Sequence, residues 1–248
     1  KNIRFSYFDR QGGISVVQNL KKAQLSFSSF SLLNQTILAD EITLEEPDGM
    51  VGIWSSEETQ EDETTVPPAW KFALNQLNVS NLKFQLDQPE SGTQLEVKLK
   101  EGHLSLKNLD LAKQKIETGE IELKQPEIDY VTSGKTSDST RQKTEETPVK
   151  VAFPEIPWEI ISEKISVSDG RLNLKNEDGE TYTELVKWLP ISDLNFVLNT
   201  VSLAPGKSNL NLEKLSAKIG NSINLTSGSF SFEADSAQNI RLHTNLAV

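Results

Sequence analysis

Leu82-Lys83-Phe84-Gln85-Leu86, followed by Leu95-Glu96-Val97-Lys98-Leu99 and Leu104-Ser105-Leu106, puts an apolar residue at every second position with Lys, Gln, Glu or Ser between. That period loads one face of a strand and leaves the other wet. The alternation returns at Ile121-Glu122-Leu123, Leu172-Asn173-Leu174, Leu194-Asn195-Phe196-Val197-Leu198, Leu210-Asn211-Leu212 and Phe230-Ser231-Phe232, while no segment carries a helical stripe over three turns. Asp48-Gly49, Asp169-Gly170, Asp178-Gly179, Pro205-Gly206 and Ser227-Gly228 read as turns between short strands. The fold class expected is all-β and antiparallel.

Two stretches interrupt the pattern. Residues 55–65 are acidic and polar, and residues 132–147 are rich in Ser, Thr, Lys and Glu without a large apolar side chain. Neither has apolar area to offset the entropy of ordering, so both read as flexible loops. Each precedes prolines and a tryptophan, Pro67-Pro68-Ala69-Trp70 and Pro154-Glu155-Ile156-Pro157-Trp158.

That recurrence belongs to a long internal repeat. A shift of 79 positions lays Phe5 on Phe84, Leu25 on Leu104, Phe27 on Leu106, Phe30 on Leu109, Ile37 on Ile116, Leu44 on Leu123 and Pro47 on Pro126 without a gap. A shift of 88 lays Trp70 on Trp158, Val79 on Val167 and Phe84 on Leu172. The organisation predicted is a partial first unit (1–54), an acidic loop (55–66), a second unit (67–131), a polar loop (132–153) and a third unit (154–248). In the first two units an Ile-x-Leu-x-x-Pro strand, Ile42–Pro47 and Ile121–Pro126, runs into the polar loop. Units of this kind extend one elongated sheet. Phe5 and Phe84 are then expected at equivalent positions on one face, as are Leu44 and Leu123.

Composition removes several function classes. The 248 residues contain no Cys, which excludes disulfides, thiol catalysis and cysteine metal sites, and only two histidines, His103 and His243, far apart. Asp plus Glu total 36 against 25 Lys plus Arg, a formal charge of -11 with no basic cluster, so nucleic acid is not an expected partner. There is no Gly-x-Gly-x-x-Gly, Walker or Gly-x-Ser-x-Gly run. Asp9, Asp87, Asp129, Asp169 and Asp178 are read as strand-end and turn residues. No catalytic residue, metal site or cofactor is expected. No apolar run reaches 18 residues, and Lys1-Asn2-Ile3-Arg4-Phe5 already reads as a strand, so any anchor or export signal is expected outside this sequence.

The remaining feature is the apolar faces themselves. They can meet as a closed sandwich or line a trough that is not filled by protein. A trough of Phe, Leu, Ile and Val suits acyl chains, because hydrocarbon transfer from water is worth roughly 0.8 kcal/mol per CH₂. Periodicity alone leaves both open.

The chain resembles the bacterial AsmA-like and TamB-like envelope proteins, particularly those of Bacteroidetes-type bacteria. The resemblance rests on Trp158-Glu159-Ile160, on Lys164-Ile165-Ser166-Val167-Ser168-Asp169-Gly170-Arg171-Leu172-Asn173-Leu174, and on Ile121-Glu122-Leu123-Lys124-Gln125-Pro126-Glu127-Ile128-Asp129-Tyr130. It touches most of the chain and fits least after Ala204. It implies a periplasmic protein of a Gram-negative bacterium, anchored in the inner membrane by a segment not present here. Its strands would form an open, taco-like groove carrying phospholipid towards the outer membrane, beside a barrel partner of the TamA/BamA type. No catalytic residues come with the family. Carrying the groove surface over by phase gives Phe5, Tyr7, Leu25, Phe27, Phe84, Leu86, Leu104, Leu106, Ile121, Leu123, Leu172, Leu174, Phe196 and Leu198 as candidate lining residues. The alternative of a different class is a structural or protein-binding β-repeat spacer with a dry core.

Overall fold

A computed structural model describes residues 2–10, 13–33, 36–54, 71–110, 114–133, 159–176, 188–204, 207–235 and 240–247. They form a single sheet of twelve strands: β1 (Ile3–Asp9), β2 (Ile14–Ser31), β3 (Thr36–Ile53), β4 (Lys71–Gln88), β5 (Thr93–Asp110), β6 (Lys115–Thr132), β7 (Glu159–Asn176), β8 (Trp188–Ala204), β9 (Lys207–Ile219), β10 (Ile223–Leu225), β11 (Ser227–Asp235) and β12 (Ile240–Ala247). The order is sequential from β1 to β9, then β11 and β12, with β10 attached to β9. Among the described residues β1 and β12 do not pair with one another, so the sheet is elongated and not closed into a barrel.

Two junctions depart from the antiparallel expectation. β3 pairs with β4, and β6 with β7, in parallel. A hairpin cannot make such a pair; a crossover of a dozen or more residues can. β3 connects to β4 through residues 55–70 and β6 to β7 through residues 134–158, all outside the described residues, as are Trp70, Trp158 and the expected loops, except that the second is expected to begin at Thr132, which closes β6. Asp178-Gly179 and Pro205-Gly206 also lie outside them.

The strands are also far longer than the alternating runs implied, 18 residues each from β2 to β7, against a usual 5–6. Leu95–Leu99 and Leu104–Leu106 belong to one strand, β5. Asp48-Gly49 and Asp169-Gly170 are not turns but lie inside β3 and β7, and Ser227-Gly228 opens β11. Pro47 and Pro126 likewise stand mid-strand rather than at an end.

The physical reason is a bend that uses turn chemistry without turning the chain back. Glu46, Asn81, Gln125, Asp169 and Asp193 all have φ between 50° and 54°, the left-handed region that short polar side chains tolerate best. One such residue sets two consecutive side chains outward and brings the residues before and after them together on the inner side. β5 makes the same step without a left-handed residue of its own, so that its inward set is Leu95, Val97 and Leu99, then Gly102, Leu104 and Leu106. A Cβ on Gly102 would lie 2.7 Å from Leu99 Cδ2. Gly170 likewise faces Val167 and the Pro126 ring at 3.1 and 3.3 Å. The parallel ladders skip this line at Glu46-Pro47 beside Asn81-Leu82, and at Gln125-Pro126 beside Asp169-Gly170, which is why a proline without an N–H is accepted in an interior strand. A second phase step, marked by bulges at Phe27, Leu106 and between Asn199 and Ser202, divides the strands again. The apolar face is the inner face at the bends.

The repeat has a direct structural meaning. Successive pairing takes Phe5 to Gln18, Gly49 and Phe84, and Leu44 to Val79, Gly102 and Leu123. Each pair thus shares one row and one face, three strands apart. The unit is three strands, two antiparallel steps and one parallel step.

Candidate functional site

Directly paired residues share a face, so ladder registers define rows running across the strands. One row passes through Leu25, Ile42, Leu77, Leu104, Ile121, Ile165, Leu198, Leu212 and Phe230. Its neighbour passes through Leu44, Val79, Gly102, Leu123, Val167, Phe196 and Leu215. Beyond the bend, Tyr7, Val16, Val51, Leu86, Leu95, Tyr130, Leu174 and Leu189 form a third. Together they floor an open, elongated apolar groove.

The fourteen candidate residues distribute over these rows. Leu25, Leu104, Ile121 and Leu198 occupy the first, Leu123 and Phe196 the second, and Tyr7, Leu86 and Leu174 the third. Phe5, Phe84 and Leu172 fall on the row with Val97 and Ile128. Phe27 and Leu106 sit at bulges, opposite Ala39 and Thr118. Ile42, Leu77, Ile165 and Leu212 belong to the same surface and were not singled out from sequence. The repeat carried the signal, since Ile42 maps onto Ile121 and Leu77 onto Ile165.

Most of this face is half-buried and little of it is fully buried. Among the described residues the buried apolar side chains are Ala39, Leu99, Val167, Val201, Leu212, Ala217 and Leu225. The faces therefore do not close into a sandwich of native packing. Exposure is graded along a row: Leu25 is 54% exposed and Leu212 is 5% exposed. At the more covered end a recess of about 610 Å³ is floored by Leu123, Val167, Phe196 and Leu215, with Gly228 at its side. Thr118 and Ser162 place hydroxyls on the inner face, where they donate to the carbonyls of Ile161 (3.4 Å) and Lys164 (3.3 Å).

The outer face is ionic. Lys22 pairs with Glu45 at 2.7 Å, Lys124 with Glu101 at 2.8 Å and Lys218 with Asp193 at 2.7 Å, and Lys164 with Glu120 and Lys21 with Glu46 in the same manner. The hydrogen bond from lysine lowers the carboxyls of Glu45, Glu101, Glu120 and Asp193 and raises Lys21, Lys124, Lys164 and Lys218. His103 Nδ1 lies 2.7 Å from Asn78 Oδ1 on this side. These pairs are solvent-exposed and contribute little to stability individually, but they keep that face in water.

Among the described residues no group of three or more acidic or histidine side chains is placed to hold a metal ion, and no helix is long and apolar enough to cross a membrane. No protein-family model and no curated protein sequence matches this chain, so its distinguishing feature is the groove: a one-layer β surface, ionic outside and apolar inside.

Proposed function

We propose that this chain is a segment of a lipid-carrying groove. In this reading it is a periplasmic, AsmA-like or TamB-like element that holds phospholipid acyl chains and supports their passage, or outer-membrane biogenesis, between the two membranes of a Gram-negative cell. A barrel protein of the TamA/BamA type is its expected partner at the outer membrane, and its inner-membrane anchor lies in another segment. The observation that carries the reading is the apolar row from Leu25 to Leu212, continuous over eight strands, exposed at Leu25, half-buried from Ile42 to Leu198 and buried only at Leu212. Exposed apolar surface on this scale calls for an occupant. A row without charged groups, repeated unit after unit, suits a flexible hydrocarbon chain better than a ligand needing fixed polar contacts. The groove holds and passes its ligand without bond chemistry, so no catalyst or cofactor enters the proposal.

The test is mass spectrometry of lipid retained by the purified chain, with Leu104→Glu and Ile121→Glu as variants. A carboxylate at the open floor stays partly hydrated, so both variants are expected to fold and to lose retained phospholipid. Lys107→Gln on the exposed outer face should retain it. Folded variants that keep normal lipid, or a wild-type chain that never retains any, would overturn the reading in favour of a spacer.

A further inference from the structure

We propose that the recess floored by Leu123, Val167, Phe196 and Leu215 is a resting site that holds one acyl chain of a single phospholipid in a fixed place, and that Gly228 keeps it open. The inference rests on the lipid-holding reading and adds to it a discrete, saturable station within an otherwise continuous groove. The floor residues are successive members of one inward row across β6 to β9. The space above them is about 610 Å³, within the range of about 300–1,000 Å³ usual for a small-ligand site. Of the residues at its margin, Glu122 and Lys214 stand on the outward row with Ser166 and Val197. The floor therefore offers hydrocarbon contact and no charge or hydrogen bond to fix a headgroup. It adjoins the row of Ile121, Ile165 and Leu198, so a chain lying along that row reaches the recess by a sideways step.

The internal repeat shows that the recess is local. Three strands earlier the same row runs Leu44, Val79, Gly102 and Leu123. There Leu99 Cδ2 lies 2.7 Å from the place a Cβ on Gly102 would take, so a buried leucine of the chain fills that space itself. In the later unit Phe196 stands at the position of Gly102. The wall beside it is also interrupted. β9 pairs with β11 from Lys207 to Leu212 and with β10 from Ala217 to Ile219, and among the described residues no ladder pair takes up 213–216 on that side. The residues that bound this break, Leu212 on one side and Ala217 with its partner Leu225 on the other, are buried. Gly228 lies across the break and is itself buried. A Cβ there would stand 3.5 Å from Leu215 Cβ and 2.9 Å from Leu246 Cδ2. Gly228 has no positive φ, so its backbone accepts any residue; what glycine supplies is room above Leu215.

The experiment is photo-crosslinking of the 248-residue chain with a phosphatidylethanolamine whose acyl chain carries a diazirine, the labelled residues being mapped by peptide mass spectrometry. Labelling around Phe196 and Leu215 should saturate at one lipid per chain, while labelling elsewhere along the groove keeps rising with lipid. Gly228→Leu fills the recess from the wall and Leu215→Trp fills it from the floor, so one serves if the other folds poorly by circular dichroism. Either should cut recess labelling about tenfold or more and leave the rest of the groove labelled as before. Leu44→Trp, on the same row outside the recess, should change nothing there. Labelling spread evenly along the row, or recess labelling that persists in folded Gly228→Leu and Leu215→Trp chains, would overturn the station and leave the groove reading standing. No labelling anywhere would overturn both. Recess labelling by a diazirine-bearing palmitic acid that phosphatidylethanolamine does not displace would assign the site to a free fatty acid and overturn the phospholipid.

Discussion

Gly92 and Leu212 set the limits of what one residue contributes here. Gly92 has φ 63° after β4, and a Cβ there would fall 2.1 Å from the Ser133 carbonyl oxygen. Gly92→Ala is therefore expected to lose about 1–3 kcal/mol, read as a lower denaturant midpoint with an unchanged slope. Leu212 and Leu25 occupy one row at opposite exposures. Leu212→Ala should cost about 2–5 kcal/mol and Leu25→Ala about 1 kcal/mol or less, measured in the same unfolding experiment; equal costs would mean the groove is closed in solution. At this scale the groove was legible wherever an aromatic or leucine headed an alternating run, as at Phe84, Leu104 and Leu172. It was not legible at Gly49, Gly102 and Gly170, which lie on the inner face without a side chain to announce them. Nor was the exposure difference between Leu25 and Leu212, which arises from strands far apart in sequence.

The bent strand is the element that sequence reading missed. Alternation marks β structure whether the chain reverses or only bends, so the two runs of β5 look like two strands in sequence. Asp and Asn favour the left-handed region in turns and in bends alike, which is why Asp169-Gly170 carries the signature of a turn although it lies inside β7. The parallel junctions were hidden for a related reason: side-chain period is two in either ladder, and only the length of the interrupting segments hinted at a crossover. The bend makes its own prediction. Gln125 has φ 51°, so Gln125→Val, β-branched, should destabilise by about 1–2 kcal/mol, while Gln125→Asn should be close to neutral. Thermal unfolding of the two variants side by side checks this, and a valine tolerated as well as asparagine would show that the bend is imposed by packing alone.

Over the whole molecule, the ionic outer face predicts the pH response. Glu45, Glu101, Glu120 and Asp193 have lowered carboxyls because lysines hydrogen-bond to them. Their contribution is complete above the unfolded carboxylate range near 4 and is lost as pH falls through the lowered folded values. Lys21, Lys98, Lys124, Lys164 and Lys218 are raised by their carboxylate partners. Theirs is complete below about 10.4 and is lost as pH rises through the raised folded values. A midpoint temperature that is level between these limits and falls beyond both is expected, with each fall blunted by about 0.5 M salt because the pairs are exposed. The three-strand unit predicts a second outcome. Removing residues 48–126 joins equivalent positions of β3 and β6, so the shortened chain should keep β circular dichroism and cooperative unfolding, whereas a deletion about half as long should not. Finally, Glu46, Asn81, Gln125 and Asp169 lie on one line, and from β3 to β7 every strand keeps the same partners on either side of it. In mechanical terms this is a score line in a panel: the two sides can change their mutual angle along the trough together, with no hydrogen bond changing partner. The ladders fix length and register while the angle at the line leaves girth compliant, so under the proposed lipid-holding role a thicker or thinner acyl chain would be met by flexing the wall rather than by repacking it.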